Sequence, residues 1–282
     1  MLRFGVHERA VLGAMSEEGK DIGYRQWGLS APRAVLVLVH GLGAHGGRWE
    51  ALADFFLKKG ISSYAIELAN PAEPDKAARS SGHFRKYRDS ILSLYDIAAA
   101  NHPGKKIFIV GESMGALLAF LIAAERPGLF GGLVCLSPAF ANRVKLSASD
   151  YLKIFLSFFH DSGMKIRLPF DSSMCTRDTH YRHRMDSDPL EYRHAPPKLL
   201  VEVLCAQIRA KMASRTVTLP VLFLIAGEDR IADAGAAAGV FSTVPSADKA
   251  LVEFPGMYHS LSVELGREAV FEEMLKWVDK RI

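Results

Sequence analysis

The stretch IVGESMGALLAF, residues 109–120, sets a serine between two glycines, after one apolar run and before another. A serine alcohol becomes a nucleophile only with a base beside it and an acid to orient that base. A bare G-x-S-x-G recurs by chance, so its context must decide. Here the motif follows a predicted strand and opens a predicted helix, the arrangement of a nucleophile elbow. Small residues at Gly111 and Gly115 allow a sharp turn and a close approach of helix to strand. The Met114 N–H, at the helix start, can face a developing oxyanion. The alternative is a serine that merely caps the helix.

The partners of such a serine should follow it in the order acid, then histidine, each just past a strand end. LIAGEDRIADAG offers three acids. Asp229 lies three residues past the apolar run, Asp233 starts a helix-like segment as its N-cap, and Glu228 points the other way. The competing reading of Asp229 is a surface turn. His259, in EFPGMYHSL, follows the last predicted strand and a Pro-Gly turn. A solvated loop histidine is the plain alternative. HGLGAHGGRW follows the first buried strand, and its glycines leave backbone amides accessible. The Leu42 N–H is the natural second oxyanion donor beside that of Met114. His40 reads as a buried hydrogen-bonding residue that shapes this loop.

The elements that must position these groups alternate along the chain. Short strands are expected at residues 9–14 and 22–27. AVLVLV is a continuous apolar run, as in strands buried on both faces of a parallel sheet. Helical RWEALADFFLKKG, strand ISSYAIEL, helical FRKYRDSILSLYDIAAANHPG and strand KIFIV follow, then the elbow helix and strand GLVCLS. After a break come VLFLIAG, AGAAAGVF, KALVEF and the amphipathic EAVFEEMLKWVDKR. The expected fold class is α/β, with a mostly parallel sheet flanked by helices.

Residues 138–218 interrupt the alternation and are expected to be a mainly helical insertion. The core is then 1–137 with 219–282. The insertion carries 13 Lys and Arg against 8 Asp and Glu, so the +4 net charge of the chain belongs to it. Its segment DYLKIFLSFF places Tyr151, Leu152, Ile154, Phe155, Leu156, Phe158 and Phe159 over nearly a whole helix surface. A helix apolar all round must bury both faces or meet lipid. One face could line an acyl site and the other rest on a membrane; a small cap core is the alternative. Lys145, Lys153, Lys165 and Arg167 could meet anionic head groups or form a solvated face. THYRHR, with His180 and His183, lacks the second ligand pair of a zinc site.

At 282 residues and 49% hydrophobic content the chain suits one large core, or one core plus a modest insertion. Its mild charge, without a basic run, argues against nucleic acid as a partner. The first residues hold no apolar stretch long enough for a secretory signal. Cys135, Cys175 and Cys205 form neither a disulfide framework nor a metal spacing. The expected location is the cytoplasm, with peripheral membrane association open.

Together HGLGAHGGRW, GESMGALLAFLIAAERP, LIAGEDRIAD, GMYHSL and the closing FEEMLKWVDKRI resemble the serine hydrolases of the α/β-hydrolase fold. The closer resemblance is to the monoacylglycerol lipase and lysophospholipase branch, grouped with serine aminopeptidase-like hydrolases. It implies Ser113 as nucleophile, Asp229 as acid, His259 as base, Leu42 and Met114 as oxyanion-hole amides, and the insertion as a cap over an acyl pocket. It implies a carboxylic-ester hydrolase acting on monoacylglycerol or lysophospholipid, with no metal or organic cofactor. A short-chain carboxylesterase and a ligand-binding protein with little turnover are the alternatives. A peptidase is less favoured, because the cap shows no clear acidic pair for a free amino terminus. Two departures stand out. ELANPAEPDKAARSSGH lacks the Asp-x-x-Gly-x-Gly-x-Ser loop of many relatives. Glu112 precedes the serine where many relatives have histidine; it is read as tolerated and without a catalytic role.

Overall fold

The structure is a computed structural model that describes residues 22–68, 83–157, 159 and 164–282. The expected strand at 9–14 and the departing loop at 69–82 lie outside the described residues. The chain runs β1 (Gly23–Trp27), β2 (Ala34–Val39), α1 (Glu50–Lys58), β3 (Ile61–Glu67), α2 (His83–Asn101), β4 (Ile107–Glu112), α3 (Met114–Glu125) and β5 (Gly132–Leu136). The inserted segment follows with α4 (Ala148–Leu156), β6 (Ile166–Arg167), α5 (Ser172–Cys175), α6 (Thr179–Ser187), β7 (His194–Ala195) and α7 (Pro197–Ala213). β8 (Val221–Ala226), α8 (Ala234–Thr243), β9 (Lys249–Phe254) and α9 (Arg267–Asp279) complete it.

Seven strands form one sheet in the order β1-β3-β2-β4-β5-β8-β9. Only β1 runs antiparallel; the other neighbours are parallel. This is the α/β architecture expected from the alternation. Both faces are covered, which is why the strands read as unbroken apolar runs. In β2 the two-residue period sends Val35, Val37 and Val39 into one core and Ala34, Leu36 and Leu38 into the other. α2, α3, α7 and α8 cover the first face, α1 and α9 the second.

β5 and β8 are adjacent in the sheet, so everything between them is an excursion from it. β6 and β7 pair in a separate two-stranded sheet. α7 is less detached than the sequence suggested. Its Leu199, Val203, Ala206 and Ala210 join the main core, packed where α7 meets α3. α4 differs from expectation in another way: none of its residues is buried. A Ser147–Asp150 capping box starts it. Its exposed large apolar side chains gather on a single stripe, described below.

α3 is apolar all round because it is buried all round, with ten of its twelve residues in the core. It can lie this deep only because Gly115 has no side chain. A Cβ there would stand 2.6 Å from the His40 carbonyl oxygen, and one on Gly111 would stand 2.5 Å from the Ala116 nitrogen. These obstacles are backbone atoms, which cannot rotate away. Gly115→Ala should therefore cost about 3 kcal/mol or more, at the upper end for overpacking. Gly239→Ala, in exposed space within α8 with nothing within 4 Å, should instead stabilise by about 0.5–1 kcal/mol. Urea unfolding midpoints of the two variants should move in opposite directions.

Candidate active site

Ser113 sits between the end of β4 and the start of α3 with φ 58° and ψ −121°. That is the left-handed side of backbone space, costly for a residue with a side chain by about 1–3 kcal/mol. Flanking hydrogen bonds hold it there. Its N–H donates to the Leu136 carbonyl at 3.0 Å, and its own carbonyl accepts from Ala116, Leu117 and Ala139. The serine is therefore no simple cap: its side chain makes no cap bond to α3.

Asp229 follows β8 and is buried. Its Oδ1 accepts the N–H groups of Ile231 and Ala232, each at 2.8 Å, and its Oδ2 faces His259 Nδ1 at 2.8 Å. Since an ionised carboxylate can only accept, Nδ1 carries the proton and Nε2 is left as the basic nitrogen. The other acids separate cleanly. Asp233 caps α8 through Gly235 and Ala236, and Glu228 is exposed. His259 is buried, in the turn after β9. Burial alone would lower its pKa, but the charge and hydrogen bond of Asp229, helped by the charge of Glu112, raise it above the ordinary value. Arg48 opposes them. Among the described residues no hydrogen bond joins the Ser113 hydroxyl to His259. Such bonds are often loose before substrate binds.

The loop after β2 passes directly over the serine, where a Cβ on Gly41 would stand 3.1 Å from Ser113 Cβ and 3.7 Å from Oγ. His40 is buried behind it. Its Nε2 accepts the Leu68 N–H at 3.1 Å, so Nδ1 donates to the Gly41 carbonyl at 2.9 Å. Burial pushes its pKa down to about 4, and it stays neutral. This is the loop-shaping role its sequence position suggested. Leu42 packs against the main core, and Met114 opens α3 directly after the serine.

Sequence reasoning missed a set of long-range pairs that hold the inserted segment to this centre. Arg48 forms two 2.6 Å hydrogen bonds with Glu191. Burial works against the guanidinium charge, but Glu191 outweighs it and holds Arg48 charged. His45 Nε2 meets Asp188 at 3.1 Å, and the Tyr192 N–H donates to the Gly43 carbonyl at 3.1 Å. On the histidine's side, Ser260 N–H donates to the Cys175 carbonyl at 2.8 Å. Buried Glu264 accepts from the backbone of Arg177 and of Tyr258. Glu112, given no role above, is also buried and bonded to Ser262. The partners lie up to 150 residues apart, beyond the reach of any local pattern. His180 and His183 fall in α6, and among the described residues no group of three or more His, Cys, Asp or Glu is set to hold a metal.

A strained serine on a strand-to-helix elbow, with an acid and a histidine past later strands of a mostly parallel sheet, defines an α/β-hydrolase. Residues 30–266 match the family described as serine aminopeptidase, S33, and the chain belongs to that family. It is a serine ester hydrolase. Monoglyceride lipase of Mus musculus is 30% identical over 95% of this chain and 90% of its own length. Phospholipase YtpA of Bacillus subtilis is 26% identical over 91% and 99%. The crystal structure of Paleococcus ferrophilus monoacylglycerol lipase superimposes with a TM-score of 0.80 at 25% identity, covering 93% of this chain and all of that one.

The Arg48–Glu191 pair gives a direct test of how the insertion is held. Glu191→Ala leaves a mostly buried guanidinium unpaired, which should cost up to about 3–5 kcal/mol. Glu50→Ala, which breaks an exposed pair with Arg184, should cost under about 1 kcal/mol. Chemical denaturation of the two variants checks the contrast.

Proposed function

We propose that this protein is a monoacylglycerol lipase that works by two-step acyl transfer. His259 Nε2 takes the proton of Ser113 as its oxygen attacks the ester carbonyl. The amides of Leu42 and Met114 stabilise the oxyanion, where losing one donor typically costs a factor of ~10²–10³. The imidazolium protonates the leaving glycerol. Water, activated by the same histidine, then releases the fatty acid. Asp229 holds the tautomer and balances the imidazolium charge. The observation that carries this reading is the 2.8 Å bond between buried His259 and Asp229 at the strand ends that also present Ser113. The mouse and Paleococcus relatives, whose names state this activity, support the substrate. Lysophospholipid is the second reading, favoured by the Bacillus phospholipase and the positive insertion.

Residues 138–218 serve as the cap in this scheme, with α7 as its base. Tyr151, Leu152, Phe155 and Leu156 of α4, with Phe159 just beyond, recur at helical spacing and are all exposed. Leu204, Ile208 and Met212 form a second exposed stripe on α7, which touches α4. Exposed apolar area on this scale marks a contact surface. The nearby lysines and arginines suit anionic lipid. Among the described residues no helix is long and apolar enough to cross a membrane. The reading is a cytoplasmic enzyme that meets its substrate at a lipid surface through the cap.

Two experiments test this. Hydrolysis of p-nitrophenyl esters from acetate to palmitate, followed by monoacylglycerol and lysophospholipid, should peak at medium or long chains and vanish in Ser113→Ala. A neutral base is required, so kcat/KM should rise with pH through a midpoint above the ordinary ~6.5 of histidine. A peak at acetate or butyrate would make it a small-ester hydrolase, and no turnover at any length would favour a binding role. Separately, Leu152→Asp with Phe155→Asp should cut sedimentation with anionic phosphatidylserine vesicles by about tenfold while leaving hydrolysis of soluble esters intact. Equal binding by wild type and variant would remove α4 from the lipid contact.

A further inference from the structure

Glu112, the residue before the nucleophile, has no part in the scheme above. It ends β4, pairs with Leu136 of β5 and is 5% exposed. A carboxylate at that depth is costly unless its oxygens are satisfied. Both are: Oε1 accepts the Ser262 N–H and Oε2 accepts the Ser262 hydroxyl, each at 2.9 Å. Ser262 lies in the 3-10 turn Leu261–Val263, three residues after His259. The clamp therefore joins the strand that carries Ser113 to the turn that carries His259. It does so without using the Ser113 hydroxyl, which makes no bond to His259 among the described residues.

The clamp is also charged. Three groups act on His259: Asp229 from the loop after β8, Glu112 from β4, and Arg48 from the turn before α1. Arg48 is engaged by Glu191, and its charge opposes the two carboxylates at His259. Tyr181, on α6, also senses the charge of Glu112. Burial holds the pKa of Glu112 above the ordinary carboxylate value, and the Ser262 bonds, His259 and Arg48 offset that only in part. Imidazolium and Glu112 carboxylate therefore favour each other's charged form.

We propose that Glu112 is a positioning residue for ester hydrolysis: its carboxylate holds the turn behind His259 in register with Ser113 and supports the imidazolium that forms when His259 takes the serine proton. This rests on the reading of Ser113, His259 and Asp229 as the triad. The covalent chemistry is unchanged, since Glu112 neither gains nor loses a proton in any step.

Substitutions can separate the tether from the charge. Glu112→Gln keeps both bonds to Ser262, the amide oxygen accepting N–H and the amide nitrogen donating to the hydroxyl, and removes only the charge. Ser262→Ala keeps the charge and the backbone bond and removes one bond of the tether. The readouts are the NMR titration of the His259 ring, the pH profile of kcat/KM on p-nitrophenyl esters, and labelling of Ser113 by a fluorophosphonate. In Glu112→Gln the ring midpoint and the acidic limb should fall together by roughly one pH unit, with kcat reduced about tenfold and KM unchanged. In Ser262→Ala the limb should stay near its wild-type position while kcat falls severalfold. A ring midpoint in Glu112→Gln equal to that of wild type would overturn the proposal while a labelled Ser113 left the triad standing. If Glu112→Gln does not fold, an unchanged kcat in Ser262→Ala overturns it instead. Failure of wild-type Ser113 to label at any pH would remove the triad itself, and this role with it.

Discussion

The close approach of α3 to β2 and β4 governs everything built on the sheet. Gly111 and Gly115 let helix and strand backbones meet almost directly, and that contact leaves the intervening residue a left-handed conformation. The strain at Ser113, about 1–3 kcal/mol, is small beside what surrounds it. Leu117, Leu118, Phe120, Leu121 and Ile122 are each nearly or wholly buried on α3. Each such side chain contributes about 1.5–3 kcal/mol on leaving water. The helix therefore stays deep, and the serine takes the strain. A serine in relaxed geometry would lie along the strand or cap the helix, as many serines do. Here it projects past the sheet edge, where the loops after β2, β8 and β9 converge.

Those loops are braced from outside as well as from the sheet. The inserted segment meets the loop after β2 through Arg48–Glu191, His45–Asp188 and Tyr192–Gly43. It meets the histidine turn through Cys175–Ser260 and Glu264. These contacts all come from residues 175–192, while α4 buries nothing. The segment thus divides into a collar fixed against the catalytic loops and an exposed apolar stripe held away from them. In the proposed mechanism such a collar would hold backbone amides and imidazole to the fraction of an ångström that acyl transfer demands. The apolar stripe carries no such duty and is free to be shaped for a surface.

The legibility of this arrangement followed the range of the forces involved. Period-two and helical patterns are local, so the sheet strands and their covering helices could be read directly, as could Asp233 as the cap of α8. The placement of Asp229 and His259 past the ends of β8 and β9, where they meet, was legible because strand ends in a parallel sheet point one way. DYLKIFLSFF was misjudged. Its apolar residues were read as covering the helix, but Tyr151, Leu152, Phe155, Leu156 and Phe159 share one exposed face. Phe158 lies outside the described residues. The Glu112–Ser262 and Arg48–Glu191 pairs had no signal at all. Pairing across 150 and 143 residues is settled by which loops the sheet brings together, and no local spacing records it.

Buried charge at this centre has a direction. Replacing an isolated buried ion pair with apolar groups is often neutral or stabilising, so charge kept in a core calls for a reason beyond stability. Around His259 the reason is an imbalance. Asp229 and Glu112 both favour its protonated form, and Arg48, the opposing cation, is engaged by Glu191. In the proposed mechanism the histidine must start as a neutral base, with both carboxylates already beside it. On that mechanism, the positive charge gained from the serine proton falls between groups already oriented to receive it. Water would have to reorient to do the same, whereas these dipoles and charges are set by the fold. The proposed mechanism thus has a centre matched to the charge distribution of the transition state more closely than to that of its resting state, which is the condition for binding energy to appear as rate.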